Sequence, residues 1–177
     1  MPESAEAVSA TFSTNRNCTI EITNLTSKYC LMYPKVYTSS GFNNHSPALT
    51  IPTCKTEVCS FDKDDNTATG AVGLLTYDLF DMRAGRGITR IAIWFSVPYD
   101  LNVYKNELAL AEVDLSCPCN KDLYKKISDG KELKSYIRSE KAGCGVKLVS
   151  TDFVVCGTQS SIGRCIVKVQ IFDRMGC

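Results

Sequence analysis

Residues 95–111 read FSVPYDLNVYKNELALA, a strand end followed by a proline turn and two tyrosines. That order suits a loop docking on a membrane, because a phenol pairs an apolar ring with a polar tip and settles at the headgroup level. The other reactive groups are scattered. Ten cysteines occur, at 18, 30, 54, 59, 117, 119, 144, 156, 165 and 177, but His45 is the only histidine. The C-x4-C at 54–59 and the C-P-C at 117–119 lack the paired C-x2-C spacing of a zinc site, so no metal is expected. No G-x-S-x-G, P-loop or G-x-G-x-x-G is present, and GRG at 85–87 lacks a βαβ setting. Asp64 and Asp65 share a polar turn, where solvated charge is the ordinary state. Neither a catalytic residue nor a cofactor is expected.

The elements that must carry the loop are mostly short strands. The chain has 177 residues, 44% apolar and 22% charged, which suits one domain over 1–177 with a real core. Residues 3–12 read as a short N-terminal helix with Pro2 near its first position, Glu3 and Glu6 in its first turn, and a thin apolar side of Ala5, Val8 and Phe12. CTIEIT alternates, with Ile20 and Ile22 on one face. CLMYPKVYT is β-rich but broken by Pro34, which marks an edge or a bulge. ALTIP, TEVCSF, AVGLLTYDLF and ITRIAIWFSV follow as strands, and KDDNTATG and MRAGRG as turns. ELALAEVDL fits strand or short helix. CNKDLYKKISDG reads as a helix capped by Asn120, with Leu123, Ile127 and Tyr124 inward and Gly130 as its stop. VKLVSTDFVVC and CIVKVQIFD are two final strands around GTQSSIGR. The pattern predicts a mainly β fold, a β-sandwich.

Net charge is +1, so no global field draws the chain to nucleic acid, and none is expected as a partner. No apolar run reaches the ~18 residues of a spanning helix. The cysteine count fits a disulfide framework in an oxidising compartment, and a pairing of Cys156 with Cys165 across the last hairpin is expected. Residues 1–16 lack the apolar core of a signal peptide, which fits a reducing compartment. Secreted, membrane-associated and cytoplasmic localisation therefore all stay open. Glycosylation triplets at Asn17, Asn24 and Asn44 matter only for an exported chain.

Two segments, ATGAVGLLTYDLF (68–80) and FSVPYDLNVYKN (95–106), resemble the signature strands of the actinoporins, the sea-anemone pore-forming cytolysins. NRNCTIEITN (15–24) and KTEVCSF (55–61) are similar to the fish actinoporin-like branch. The resemblance covers about residues 15–172. It implies a β-sandwich flanked by two short α-helices and a phosphocholine pocket that recognises sphingomyelin. It also implies an aromatic loop at the interface, and an N-terminal helix that detaches to line an oligomeric, cation-conducting pore. Carried onto this chain, the pocket residues are Ser40, Val72, Ser96, Pro98, Tyr104 and Tyr124. The interface loop offers Tyr99, Leu101, Val103 and Leu108. Aromatic walls suit a quaternary ammonium and hydroxyls suit a phosphate.

The departures point the other way. Ser128 and Asp129 stand where the family's helix has two further tyrosines, and Ser39 replaces a basic residue. Leu101, Val103, Glu107 and Leu108 replace the loop's exposed aromatics, with Glu107 opposing burial. Trp94, the only tryptophan, lies inside a strand and reads as a core or groove residue. As a helix, residues 3–16 would reach about 21 Å against a hydrocarbon core of about 30 Å. Three readings follow. The first is a membrane-binding cytolysin acting as a homo-oligomer on sphingomyelin or phosphatidylcholine headgroups. The second is a non-lytic lipid-headgroup or glycan-binding protein on the same scaffold. The third is a disulfide-stapled structural protein.

Overall fold

A computed structural model describes residues 3–131, 133, 135–139 and 144–175. Helix α1 (Ala5–Ala10) is followed by β1 (Asn17–Leu25), β2 (Tyr29–Ser40), β3 (Phe42–His45), β4 (Thr50–Ile51) and β5 (Lys55–Asp62). Next come β6 (Ala71–Asp81), β7 (Arg86–Val97), β8 (Glu107–Val113) and helix α2 (Lys121–Asp129). The chain finishes with β9 (Ser135–Arg138), β10 (Val146–Val149), β11 (Phe153–Gln159) and β12 (Arg164–Asp173). One six-stranded sheet runs β10-β11-β12-β1-β5-β3 and the other β4-β2-β6-β7-β8-β9. Every pairing is antiparallel except β1 with β12, which is parallel. The mainly β sandwich with two short flanking helices is the observed architecture.

Alternation along each strand builds the core. Ile20 and Ile22 of β1 meet Leu75 and Leu79 of β6, Ile93 and Phe95 of β7, and Val167 and Val169 of β12 between the sheets. The Phe61 and Phe95 rings bridge the two sheets at 4.5 Å, tilted by 42°. Each such fully buried side chain contributes roughly 1.5–3 kcal/mol relative to exposure. Strands β7 and β8 are buried on both faces. Leu108 and Leu110 enter the inter-sheet core, while Ala109 and Ala111 face α2. That double burial removes polar alternation from ELALAEV, which is why its period was ambiguous; it is a strand.

Four local expectations need correction. Helix α1 starts at Ala5, because Ser4 is its N-cap and its hydroxyl accepts from the Ala7 N–H at 3.1 Å; Glu3 therefore lies outside the first turn. Its end comes early where the Thr11 hydroxyl donates to the Val8 carbonyl at 2.7 Å and competes with the next helical bond. Pro2, like Cys177, lies outside the described residues. VKLVSTDFVVC is two strands, split by a turn in which the Ser150 N–H donates to the Phe153 carbonyl at 2.9 Å. The short strands β3 and β9 carry no clear sequence signal. The Cys156–Cys165 pairing fails: Cys156 lies opposite Gln170, five residues along β12 from Cys165, or about 16 Å of strand. That is far beyond the reach of a disulfide.

Pro34 does produce a bulge, between Met32 and Lys35, with Tyr33 at φ +55°. Among the described residues the cysteines are free thiols. Cys18 and Cys165 face each other across the β1–β12 pairing inside the core, near Cys59. Burial pushes the Cys59 thiol up to about 12 and also raises Cys18, reinforced by Cys165. Cys18 and Cys59 therefore fill volume rather than react. No helix among the described residues is long and apolar enough to cross a membrane.

Candidate functional site

Cross-strand register assembles the site. Ser40 of β2 pairs with Val72 of β6, and Val72 with Ser96 of β7, so three predicted residues form one row across three strands. Paired residues project from the same face of a sheet, and this is the face that α2 covers. Adjacent strands lie about 4.8 Å apart, so Ser40 and Ser96 are about 10 Å apart with Val72 as the floor. The row continues to Glu107 of β8. The register shift between Thr38 and Ser40 brings Ser40 into line. The Ser40 hydroxyl already donates to the Gly70 carbonyl at 3.0 Å, so its proton is engaged and its lone pairs remain. Gly70 is required here, because a Cβ would sit 2.0 Å from the Val97 carbonyl oxygen.

The next row inward is aromatic. Tyr37 pairs with Leu74, Leu74 with Trp94, Trp94 with Ala109, and Ala109 with Arg138 of β9. Tyr124 of α2 packs over this row, its ring 5.6 Å from Tyr37 and 6.0 Å from Trp94. Tyr124 can do so because α2 is fixed at both ends. The Asn120 side chain accepts from the Asp122 and Leu123 N–H groups at 3.1 Å, and Gly130 closes the helix at φ +65°. Leu123 and Ile127 are buried beneath it. At the far end of the same sheet Arg90 binds Asp78 at 2.6 Å and donates to the Cys117 carbonyl, tying down the loop that enters α2.

Sequence reasoning missed Tyr37 and Arg138 and misjudged Glu107. Glu107 is the first residue of β8, not part of a loop, and its carboxylate accepts from Arg138 at 2.7 Å. Arg138 also donates to the Ser128 carbonyl at 2.6 Å, and its guanidinium lies 4.8 Å above the Trp94 ring. Ala109 leaves the space for that crossing. Tyr37 had a sequence signal, a phenol three residues before Ser40. Arg138 had none, because its partner is 31 positions away.

The loop from Pro98 to Lys105 closes the same end of the sandwich. Pro98 is half-buried beside the row, and Tyr99 (45% exposed), Val103 (67%) and Tyr104 (63%) present apolar surface, while Leu101 is half-buried. Arg16 anchors the loop by donating to the Pro98 and Tyr99 carbonyls at 3.1 and 2.8 Å, 5.8 Å from the Tyr99 ring. Tyr104 stands apart: among the described residues no ring contact joins it to Tyr37, Tyr124 and Trp94. Leu108 is a correction. It is fully buried in β8 and cannot meet a lipid without that strand unfolding. His45 is exposed on the edge strand β3, paired to Ser60 through backbone.

No known family profile matches the chain. Bryoporin of Physcomitrium patens is 27% identical over 164 residues, covering 89% of this chain and 84% of that protein. The structure of the lipid binding protein Nakanori superposes with a TM-score of 0.72 at 12% identity, over 96% of this chain and 77% of that one. The Xerocomus chrysenteron lectin XCL follows at a TM-score of 0.52 and 13% identity, over 91% of this chain and all of that one (100%). The two solved structures show the shared fold. In its signature strands and in its fold, the chain resembles the actinoporin-like proteins.

Proposed function

We propose that this protein binds membranes peripherally by holding the phosphocholine headgroup of sphingomyelin or phosphatidylcholine at the Ser40–Val72–Ser96 row. The observation that carries the reading is the adjacency of that hydroxyl-bearing row to the Tyr37–Tyr124–Trp94 cluster, at the end where Tyr99, Val103 and Tyr104 are exposed. Hydroxyls serve the phosphate and phenol faces serve the quaternary ammonium, at about 0.5–2 kcal/mol per face. The Glu107–Arg138 pair leaves the corner of the row without net charge, which suits a zwitterion. Pro98 borders the row, and Tyr104, apart from the aromatic cluster, would reach the headgroup from the exposed loop.

Binding without lysis is the expected behaviour. Helix α1 is six residues long, about 9 Å, and is held to the sandwich through the Glu6–Lys168 bridge at 2.7 Å and the buried Val8 and Phe12. The test is pelleting with phosphatidylcholine–sphingomyelin vesicles, with free phosphocholine as competitor and dye release read in parallel. Tyr104→Ala and Ser96→Val should each weaken binding about ten-fold. Equal binding by both variants, or binding that phosphocholine does not compete, ends the reading. Dye release at saturation would establish the pore-forming alternative, and glycan capture without vesicle binding the lectin-like one.

A further inference from the structure

We propose that the membrane contact has a second prong, the turn Ser160–Gly163 between β11 and β12, with Ile162 entering the interfacial layer and Arg164 meeting lipid phosphates. This rests on the headgroup reading and extends it to residues outside the pocket.

The turn is built against the loop that carries Tyr99 and Tyr104. Asn106, buried at the end of that loop, donates through Nδ2 to the Ser160 and Ile162 carbonyls, both at 2.9 Å. The Asn17 N–H donates to the Gly163 carbonyl at 2.9 Å. A Cβ at Gly163 would lie 2.3 Å from the Asn15 carbonyl oxygen and 2.6 Å from the Arg16 guanidinium, so the turn is packed onto residues 15–16 with no slack. Arg16 in turn holds the Pro98 and Tyr99 carbonyls. Turn, residues 14–16 and loop thus form one connected surface.

On that fixed turn Ile162 is 60% exposed. An isoleucine held out by a backbone tied on both sides gains nothing from folding, whereas burial at an interface would repay it. Its neighbours are cationic. Arg164 is exposed and donates to the Thr14 carbonyl at 3.2 Å, Arg16 borders Tyr99, and Lys105 follows Tyr104. The loop's acid, Asp100, accepts from the Asn102 N–H at 2.9 Å. Apolar tips ringed by cations match the interfacial region of a bilayer, where acyl chains lie beneath phosphates.

The experiment compares the full chain with Ile162→Ser, Arg164→Gln and Tyr104→Ala on phosphatidylcholine–sphingomyelin vesicles, with and without phosphatidylglycerol. Thermal melts confirm that each surface variant is folded. Ile162→Ser should weaken vesicle binding roughly five-fold while leaving binding of free phosphocholine unchanged. Arg164→Gln should cost most on vesicles containing phosphatidylglycerol, and that difference should vanish in high salt. Ile162→Trp adds a direct readout against the buried, constant Trp94. Its emission should shift to the blue on vesicles and be quenched by brominated acyl chains.

If wild type binds, Tyr104→Ala weakens it, and Ile162→Ser binds like wild type, the second prong is overturned and the headgroup reading survives. A water-exposed emission from the Ile162→Trp variant on vesicles overturns it equally. If Ile162→Ser weakens binding while Tyr104→Ala and phosphocholine have no effect, the headgroup reading falls and the second contact stands. Failure of wild type to bind any vesicle, or capture by glycans alone, removes both.

Discussion

The two helices lie on opposite faces of the sandwich and are held by different physics. Helix α2 is capped at both ends by sequence-specific residues, buries Leu123 and Ile127, and is clamped by Arg138 through the Ser128 carbonyl. Helix α1 has six residues, a serine cap, a small patch of Val8 and Phe12 on Val58, and an exposed ion pair from Glu6 to Lys168. The helix that walls the candidate site is part of the core; the other is attached to its surface. The geometry of the candidate site therefore depends on α2, whereas α1 packs on the other sheet, away from the Ser40–Val72–Ser96 row.

That contrast can be broken most severely at Arg90. Arg90→Ala strands the Asp78 carboxylate in a nearly closed site and frees the loop entering α2, and should cost roughly 3–5 kcal/mol in urea unfolding. Ile127→Ala comes next. Its cavity under α2 should cost roughly 2–4 kcal/mol, and vesicle binding should fall along with stability because Tyr124 loses its support. A folded Ile127→Ala protein with unchanged phosphocholine binding would show that the α2 wall is dispensable.

The smallest effect sharpens the other side of the comparison. The Lys168 ammonium bonds the Glu6 carboxylate and holds its pKa below the usual range; in return Lys168 is raised, chiefly by Glu6. The contribution of a depressed carboxyl is present above its unfolded pKa and lost as pH falls through the folded one. That of the raised lysine is complete below its unfolded pKa and fades as pH rises through the folded one. Protection of the α1 amides, taken relative to their intrinsic exchange rates, should therefore fall in acid, below about pH 4, and again at strongly alkaline pH, relative to that of α2. Glu6→Gln should remove the acid limb and leave the global melting curve in place.

The sequence was most informative where the signal was local. Asn120 and Gly130 bracket α2 through backbone hydrogen bonds within a few residues, so both ends of that helix could be read directly. Ile20 and Ile22 declared the buried face of β1. Leu108 was misplaced because an apolar residue near a loop looks the same whether it faces lipid or a second sheet; only the partner strands decide. Glu107 looked like a charge opposing insertion until Arg138 stood beside it. The expected Cys156–Cys165 pairing failed for a related reason, since hairpin register depends on which residues occupy the turn. Ser40, Val72 and Ser96 share one cross-strand row, yet the proton of Ser40 is donated to the Gly70 carbonyl, a contact no residue type announces.

The parallel ladder between β1 and β12 sets the order of events during synthesis. Asn17 of β1 must find Arg164 of β12, which is made only after every other strand of the sandwich. Until then Ile20 and Ile22 lack one flank, and β5 supplies only the other. A nascent chain halted before β12 would display an open strand edge bordered by the unfilled side of the core, an invitation to aggregate. Completion of this sandwich is therefore expected to wait for β12, at the slow pace set by contacts between distant segments.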